Sequence, residues 1–533
     1  MHFLQKFFSI LALFIFIVVL GFFIVPIFNV FFVAGKNIFL GKITKLSLIY
    51  IGKIAIYTFC QAFFSTLLAL IFGTISAFFV SQKNFFARSL LLSFSVVPLC
   101  MPPLLVALGY IAVFGMSGII NKMFMGIFSL SESPLTFLYS IWGIILCQGF
   151  YNFPLVMAHL VKKWETIPPC YEESAKLLGA NNLRIFKTIT FWQLLPAYIS
   201  SAIQVFLYCF FSFTIVLLFG QAGKTSFEAA IFHSLRATSN PENAYILAIS
   251  ETFFAILILF VYTTLEKNAS SNWGSNFIEK NRERISKKEL PLFILFVLIT
   301  FIFFMLPFLS VAIKGISISS LKSLFRLSTF KISLKNTIIS ASCTATLSVI
   351  CGFFAAISAK MFFKDGKNIF FKTAPLFPQA ISSMVIGTGI LLSVKKGSVA
   401  HLILAQTALF WPFSYRQIYS ALYAIPQNVL DSAKLLSKTK TDIVFRIILP
   451  YGFSSAIQAW GFSFAMSAGD TALPLVLSIP QFEPLSILVY RLSVSYRLPQ
   501  ACAAGMILGL LCMGVFALSS NANKINGSKT ICF

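Results

Sequence analysis

Ionisable and amide side chains inside long apolar runs are the residues of this sequence best placed to act on a small molecule. Asp470, in AMSAGDTALPL, and Glu251, in AISETFFA, fit that description. A charge at mid-bilayer costs at least about 2.5–3.5 kcal/mol, so a residue kept there usually has work to do. Both stand near the ends of their runs, where the cost falls and a structural role fits equally well. Gln148, Asn152 and Gln406, with Gln204 and Gln458, are weaker candidates, since hydrogen bonding between helices is the commoner job of a buried amide. The four histidines (His2, His159, His233, His401) are scattered and none is spaced as a metal-binding pair. Most of the ten cysteines lie in apolar runs, where cysteine behaves as a small hydrophobe, and no disulfide framework is implied. Gly223-Lys224-Thr225 resembles the end of a phosphate-binding loop. That loop requires a glycine at position 218, which is Leu218, and a preceding strand. No catalytic residue, metal site, cofactor site or ATP site is expected, so the chain reads as something other than an enzyme.

The elements that would position these groups are membrane helices. A chain of 533 residues that is 58% hydrophobic and 11% charged hides more apolar residues than a soluble domain can bury. Its net charge of +25 is dispersed through short loops, which points to membrane-surface electrostatics rather than nucleic acid. Twelve runs are long enough to span: Phe7–Phe32, Ile54–Val80, Leu90–Phe114, Leu135–Leu160, Pro196–Phe219 and Tyr245–Tyr262, then Pro291–Ile313, Thr337–Ala359, Thr373–Val394, Val399–Tyr415, Tyr451–Leu477 and Ala501–Leu518. Between the sixth and seventh lies a polar stretch, Glu266–Leu290, rich in Lys and Arg. It divides residues 1–265 from residues 291–533. With both ends inside, the cytoplasmic loops carry the larger share of the Lys and Arg.

Two polar islands interrupt this pattern: Ile167–Pro196 (IPPCYEESAKLLGANNLRIFKTITFWQLLP) and Ile425–Pro450 (IPQNVLDSAKLLSKTKTDIVFRIILP). Aligning Pro168 with Pro426 sets an offset of 258 residues, which superimposes Glu173-Ser174-Ala175 on Asp431-Ser432-Ala433 and Lys176-Leu177-Leu178 on Lys434-Leu435-Leu436. Each island reads as a short amphipathic helix, with prolines at its first turn and an acid near the positive end of its dipole. Its basic residues place it in the cytoplasm. The same offset carries Gln148 to Gln406 and Pro154 to Pro412, while Thr58, Ala62 and Gly73 match Thr337, Ala341 and Gly352 at 279. The chain is therefore built twice, with the difference absorbed around Gly115–Pro134.

The islands resemble the coupling loop of ABC-importer permeases, the EAA motif, with ESA and DSA standing for EAA and Ile447-Ile448-Leu449-Pro450 for its ending. Phe191-Trp192 replaces Leu-Pro in the first copy, and Ser437 replaces the glycine in the second. The segments 213–235 and 467–505 resemble the ends of the two halves of fused, double-length permeases that serve thiamine and iron(III) importers. The resemblance implies an all-α polytopic protein of two tandem six-helix halves, each with a cytoplasmic coupling helix, in a bacterial inner membrane. It further implies two copies of a cytoplasmic ATP-binding subunit, docking at Glu173, Ser174, Ala175 and Gly179 and at Asp431, Ser432, Ala433 and Ser437, and an extracytoplasmic solute-binding protein. Where the thiamine branch has a Gly-Gly-Gly-Pro-like run, this chain has Gln221 to Lys224; Gly469-Asp470, by contrast, favours thiamine. An iron(III) permease is the alternative. An ion-coupled secondary transporter is a third reading, and it leaves the two islands unexplained.

Overall fold

The sequence expects unbroken membrane helices, and a computed structural model of the chain supplies most of them. It describes residues 2–39, 45–221, 223–236, 241–269, 282–362, 378, 381–394, 396–437 and 440–525. Among these, nine helices are long and apolar enough by length and composition to cross a membrane. Each contains or overlaps one of the twelve expected runs. The other three runs are helical too. Ser383–Ser393 is shorter, and most of the expected run before it lies outside the described residues. Val399–Tyr423 and Leu449–Gly469 are full-length but less apolar, because they turn Gln406, Ser414, Ser455, Ser463 and Ser467 inward. The only strand pairing described is two residues long, Lys83-Asn84 against Glu283-Arg284.

Three expected runs are interrupted. Leu90–Phe114 divides at Met101-Pro102, where consecutive prolines remove backbone donors before helix Pro103–Phe114 starts. Pro196–Phe219 divides at Phe211–Phe213 between helices Phe191–Phe210 and Thr214–Phe219. Tyr451–Leu477 divides at Asp470-Thr471, where the Asp470 carboxylate accepts from the Ala472 N–H at 3.0 Å and holds the chain out of helix. The last two breaks fall at the same place in the repeat.

The duplication extends to individual contacts. Helix Lys45–Gln82 lies along Ile141–Trp164, and Ser328–Phe362 lies along Val399–Tyr423. Gly73 lets the first pair close on Val156, and Gly352 lets the second close on Ser414, where a Cβ would come within 2.6 and 2.8 Å of those side chains. Thr58 Oγ1 accepts from the Phe227 N–H at 3.3 Å, and Thr337 Oγ1 accepts from the Leu485 N–H at 2.7 Å. All four partners obey the offsets of 279 and 258 read from the sequence.

The first helix of each half reaches into the other half while keeping contacts in its own, His2–Phe39 with Pro241–Ala269 and Leu306–Ile316 with Leu498–Ile525. His2–Phe39 packs on Ser383–Ser393 and Val399–Tyr423, with the carbonyl of Pro26 against Gly389 and Asn29 Nδ2 donating to Ser393 Oγ at 2.7 Å. Reciprocally, Leu306–Ile316 packs on Pro103–Phe114, with the carbonyl of Pro307 against Gly109, and the Tyr110 hydroxyl donates to the Phe303 carbonyl at 2.6 Å. Both glycines serve a backbone approach that a Cβ would block. One apolar core accordingly mixes Phe296 and Phe304 with first-half residues, and another mixes Val19 and Phe23 with second-half ones.

On the side of the first island, two ion clusters tie the stretch between the halves to the first half. Lys83 Nζ sits 2.9 Å from Glu289 and 3.4 Å from Glu283, while Glu165 Oε1 receives Arg88 at 3.1 Å and Arg282 at 2.9 Å. Burial would push the Glu289 carboxyl up, but Lys83 and the Ser286 N–H outweigh it and hold it below its usual value.

Candidate functional site

Each polar island folds as a short helix followed by a turn and a wide helical exit. The first helix is Pro169–Leu177 and the second Gln427–Leu436, capped by Pro168 and Pro426, whose fixed φ suits a first turn. Both then expose a leucine pair almost completely: Leu177 and Leu178 at 89 and 88%, Leu435 and Leu436 at 88% each. Two bare leucines beside a basic, acid-bearing helix form a surface suited to a partner protein. Glu173, Ser174 and Gly179 are exposed and Ala175 is half-buried; Asp431 and Ser432 are exposed. Ala433 instead turns inward with Leu430 into the chain's own core, and Ser437 is half-buried. The second helix is thus seated on the body of the protein, whereas the first buries none of its residues.

The two turns differ as their residues require. Gly179 has φ of +80°, and the bonds from its N–H to the Lys176 carbonyl and from the Ala180 N–H to the Ala175 carbonyl complete a left-handed helix stop. Ser437, at φ −93° and ψ 139°, leaves its helix in extended conformation. The exits then converge: Phe186–Thr190 and Val444–Ile448 are both π-helical turns, 258 residues apart. Pro450 follows only the second, so the π turn does not depend on the proline.

The pathway candidates meet at the seam between the halves. A cavity of about 250 Å³ is lined by Gln148, Asn152, Ser212, Glu228 and Asp470, by the rings of Tyr151, Tyr208, Phe211 and Phe410, and by the breaks at Phe211–Phe213 and Gly469–Thr471. Thr214 and Thr471 hydrogen-bond across it at 2.5 Å. Gln406 is buried behind the cavity and anchors one wall. Its Nε2 donates to Asp470 Oδ2 at 2.9 Å, and its Oε1 accepts from Ser467 Oγ at 2.7 Å and Thr344 Oγ1 at 3.4 Å. Gln148 copies only part of this. Its Oε1 accepts from Ser65 Oγ at 3.0 Å, the repeat counterpart of Thr344, but its Nε2 has no partner among the described residues. The reason is that Ser212 stands where the repeat would place Asp470.

Glu251 lies behind the cavity, accepting from Ser382 Oγ at 3.0 Å. A neighbouring cavity of about 200 Å³ shares Glu228, Tyr208, Phe211 and Phe410 with the first and also reaches Gln204, Ser382 and Arg416. Gln458 is remote from both and pairs with Gln417 at 3.4 Å. Glu228 was not singled out by the sequence reading. It lies in the amphipathic helix Phe227–Arg236, whose polar face looks like a surface. The available signal was its repeat counterpart: Phe227 matches Leu485, whose helix is buried, so Glu228 falls at an inward position equivalent to Ser486.

A helical membrane body built twice, with an exposed helix in each half and a polar cavity at the seam, is the architecture of a solute permease. The model of the family "Binding-protein-dependent transport system inner membrane component" matches residues 69–271. The thiamine transport system permease protein of Brucella abortus is 24% identical over 486 residues, covering 89% of this chain and 88% of the relative. That of Haemophilus influenzae is 24% identical over 489 residues, covering 88% of each. A putative 2-aminoethylphosphonate transport system permease protein of Salmonella typhi is 26% identical over 201 residues, 38% of this chain and 70% of the relative. Over nearly its whole length the chain is thus similar to double-length permeases of binding-protein-dependent importers, and residues 69–271 match the inner-membrane component of that class. Permeases of that class work with an ATP-binding subunit and a solute-binding protein.

Proposed function

We propose that this chain is the membrane subunit of a thiamine importer, passing thiamine or its phosphates from a binding protein into the cytoplasm while separate ATPase subunits supply the energy. The observation that carries the reading is similarity to thiamine permeases along nearly the whole chain, both halves included. One ATPase subunit docks on Glu173, Ser174, Ala175, Gly179 and the Leu177-Leu178 pair. A second docks on Asp431, Ser432, Ser437 and Leu435-Leu436, with Ala433 supporting that helix from beneath. Residues 1–265 and 291–533 form the two repeats, joined by the cytoplasmic stretch 266–290, and both ends of the sequence face the cytoplasm. The chain hydrolyses no ATP itself. The solute passes the seam along Gln148, Asn152 and Asp470, with Gln406 and Glu251 supporting that wall from behind.

Uptake of labelled thiamine tests this. Cells lacking their own thiamine transport, given this chain with its cognate ATPase and binding protein, should accumulate label in an ATP-dependent manner. Accumulation of iron(III) but not thiamine would move the reading to the other branch, and accumulation without any ATPase would reject the class of mechanism.

A further inference from the structure

Three carboxylates converge on the seam from both halves. Glu228 lines both cavities, Asp470 lines the first, and Glu251 stands behind them against Ser382. Glu228 and Glu251 are buried, at 1 and 0% exposure, and Asp470 is half-buried. Glu228 Oε2 has no hydrogen-bond partner among the described residues, and neither do Gln148 Nε2 and Asn152 Oδ1, which line the same cavity. Buried polar atoms are ordinarily satisfied, so three orphans around one space indicate a missing partner. Among the described residues, the one basic side chain lining either cavity is Arg416, in the second.

The chemistry of that partner follows from the walls. Walls with more acids than bases suit a cation, and the rings of Tyr151, Tyr208, Phe211 and Phe410 offer the faces that favour an organic cation. Among the described residues no three His, Cys, Asp or Glu side chains converge closely enough to hold a metal ion. The acids therefore supply a field rather than a chelate. The repeat explains why the site is one-sided. Glu228 and Asp470 correspond to Ser486 and Ser212, so each carboxylate has a hydroxyl as its counterpart and the charge gathers at a single place on the seam.

We propose that this cavity is a binding site within the permease for a small organic cation. Glu228 is its principal counter-charge, Asp470 and Glu251 add to the field, and Gln148 Nε2 and Asn152 Oδ1 orient the ligand's polar groups. The site deepens the importer reading and rests on it, but its ligand class can be tested without thiamine. The purified permease–ATPase complex is titrated with phenyltrimethylammonium and with its uncharged isostere tert-butylbenzene, and separately with thiamine and the analogue whose thiazolium is replaced by neutral thiophene. Binding is read by tyrosine and tryptophan fluorescence. Each cation should bind at least tenfold tighter than its neutral isostere. Glu228→Gln should abolish that preference, Glu228→Asp should restore part of it, and the exposed loop change Glu132→Gln should leave it intact. Retention of the ATPase on purification reports that each variant is folded. Equal binding of cation and isostere by the wild type, no binding of either cation, or an unchanged preference in Glu228→Gln overturns the site. If phenyltrimethylammonium discriminates and thiamine does not, the cation site stands and the thiamine reading falls.

Discussion

At the residue scale, matched positions in the two repeats make unequal contributions, and mutations should expose the difference. A β-branched side chain in the left-handed region costs about 1–2 kcal/mol, and Gly179 occupies that region with nothing within 4 Å of a would-be Cβ. Its strain would therefore lie in the backbone alone. Gly179→Val should distort the first docking turn and reduce ATPase co-purification several-fold, while Gly179→Asn should be milder. Ser437 is already extended, the conformation valine prefers, so Ser437→Val should retain the ATPase; equal loss in both variants would show that the turn does not govern docking. The glutamines make the converse case. Gln406→Leu strands the Asp470 carboxylate and Ser467, and should cost about 1–3 kcal/mol, read as a lower unfolding temperature of the detergent-solubilised complex. Gln148→Leu leaves only Ser65 unpaired and should cost less.

At the element scale, the duplication of the helices was legible, because Gly73 and Gly352 and Gln148 and Gln406 mark it by identity and offset. The exchange of first helices was not. Nothing in Phe7–Phe32 or Pro291–Ile313 distinguishes a neighbour in one half from a neighbour in the other, since either choice buries the same kind of surface. The helix breaks at Phe211–Phe213 and Asp470-Thr471 were hidden for a related reason. Hydropathy averages over a run and does not register one capping carboxylate. The exchange can be checked directly. Gly389→Leu drives a side chain into the Pro26 carbonyl, and Gly109→Leu drives one into that of Pro307. Each should loosen the opposite half's first helix on that face, seen as faster protease cleavage in residues 40–44 for the former and near Lys287-Lys288 for the latter. Protection at those places in both variants would contradict the packing.

At the scale of the whole molecule, we propose from the charge bias that the stretch 266–290 lies inside; the ion clusters attach its described end, at Arg282, Glu283 and Glu289, to the first half. Thiol reagents applied outside intact cells should miss cysteines introduced at 280 and 524, and labelling at either would require an odd number of spans in one half. Glu165 holds Arg88 and Arg282 together, so Glu165→Gln sets two guanidiniums side by side without their common anion. With all three half-buried, the loss should be about 1 kcal/mol or less and should shrink further in high salt. Glu289 adds a pH dependence. Its carboxyl lies below the usual value, so its pairing with Lys83 contributes fully above the unfolded pKa and fades as pH falls through the folded one.

The crossed first helices also constrain how the molecule is made. A ribosome releases Pro26 long before Gly389, its seat, some 363 residues later in the chain (389 − 26). Throughout that interval the face of the leading helix that seats on Ser383–Ser393 and Val399–Tyr423 is uncovered, and Pro103–Phe114 lacks the helix from the second half that packs on it. Contacts this distant in sequence form late and leave intermediates open to wrong partners. Two copies of an unfused half-length ancestor would have had to find one another to trade these helices. Joining them through 266–290 turns that encounter into an intramolecular one, with an effective concentration set by the tether rather than by expression level. In these terms, fusion secures the assembly of the pair as much as it fixes the one-to-one ratio of its halves.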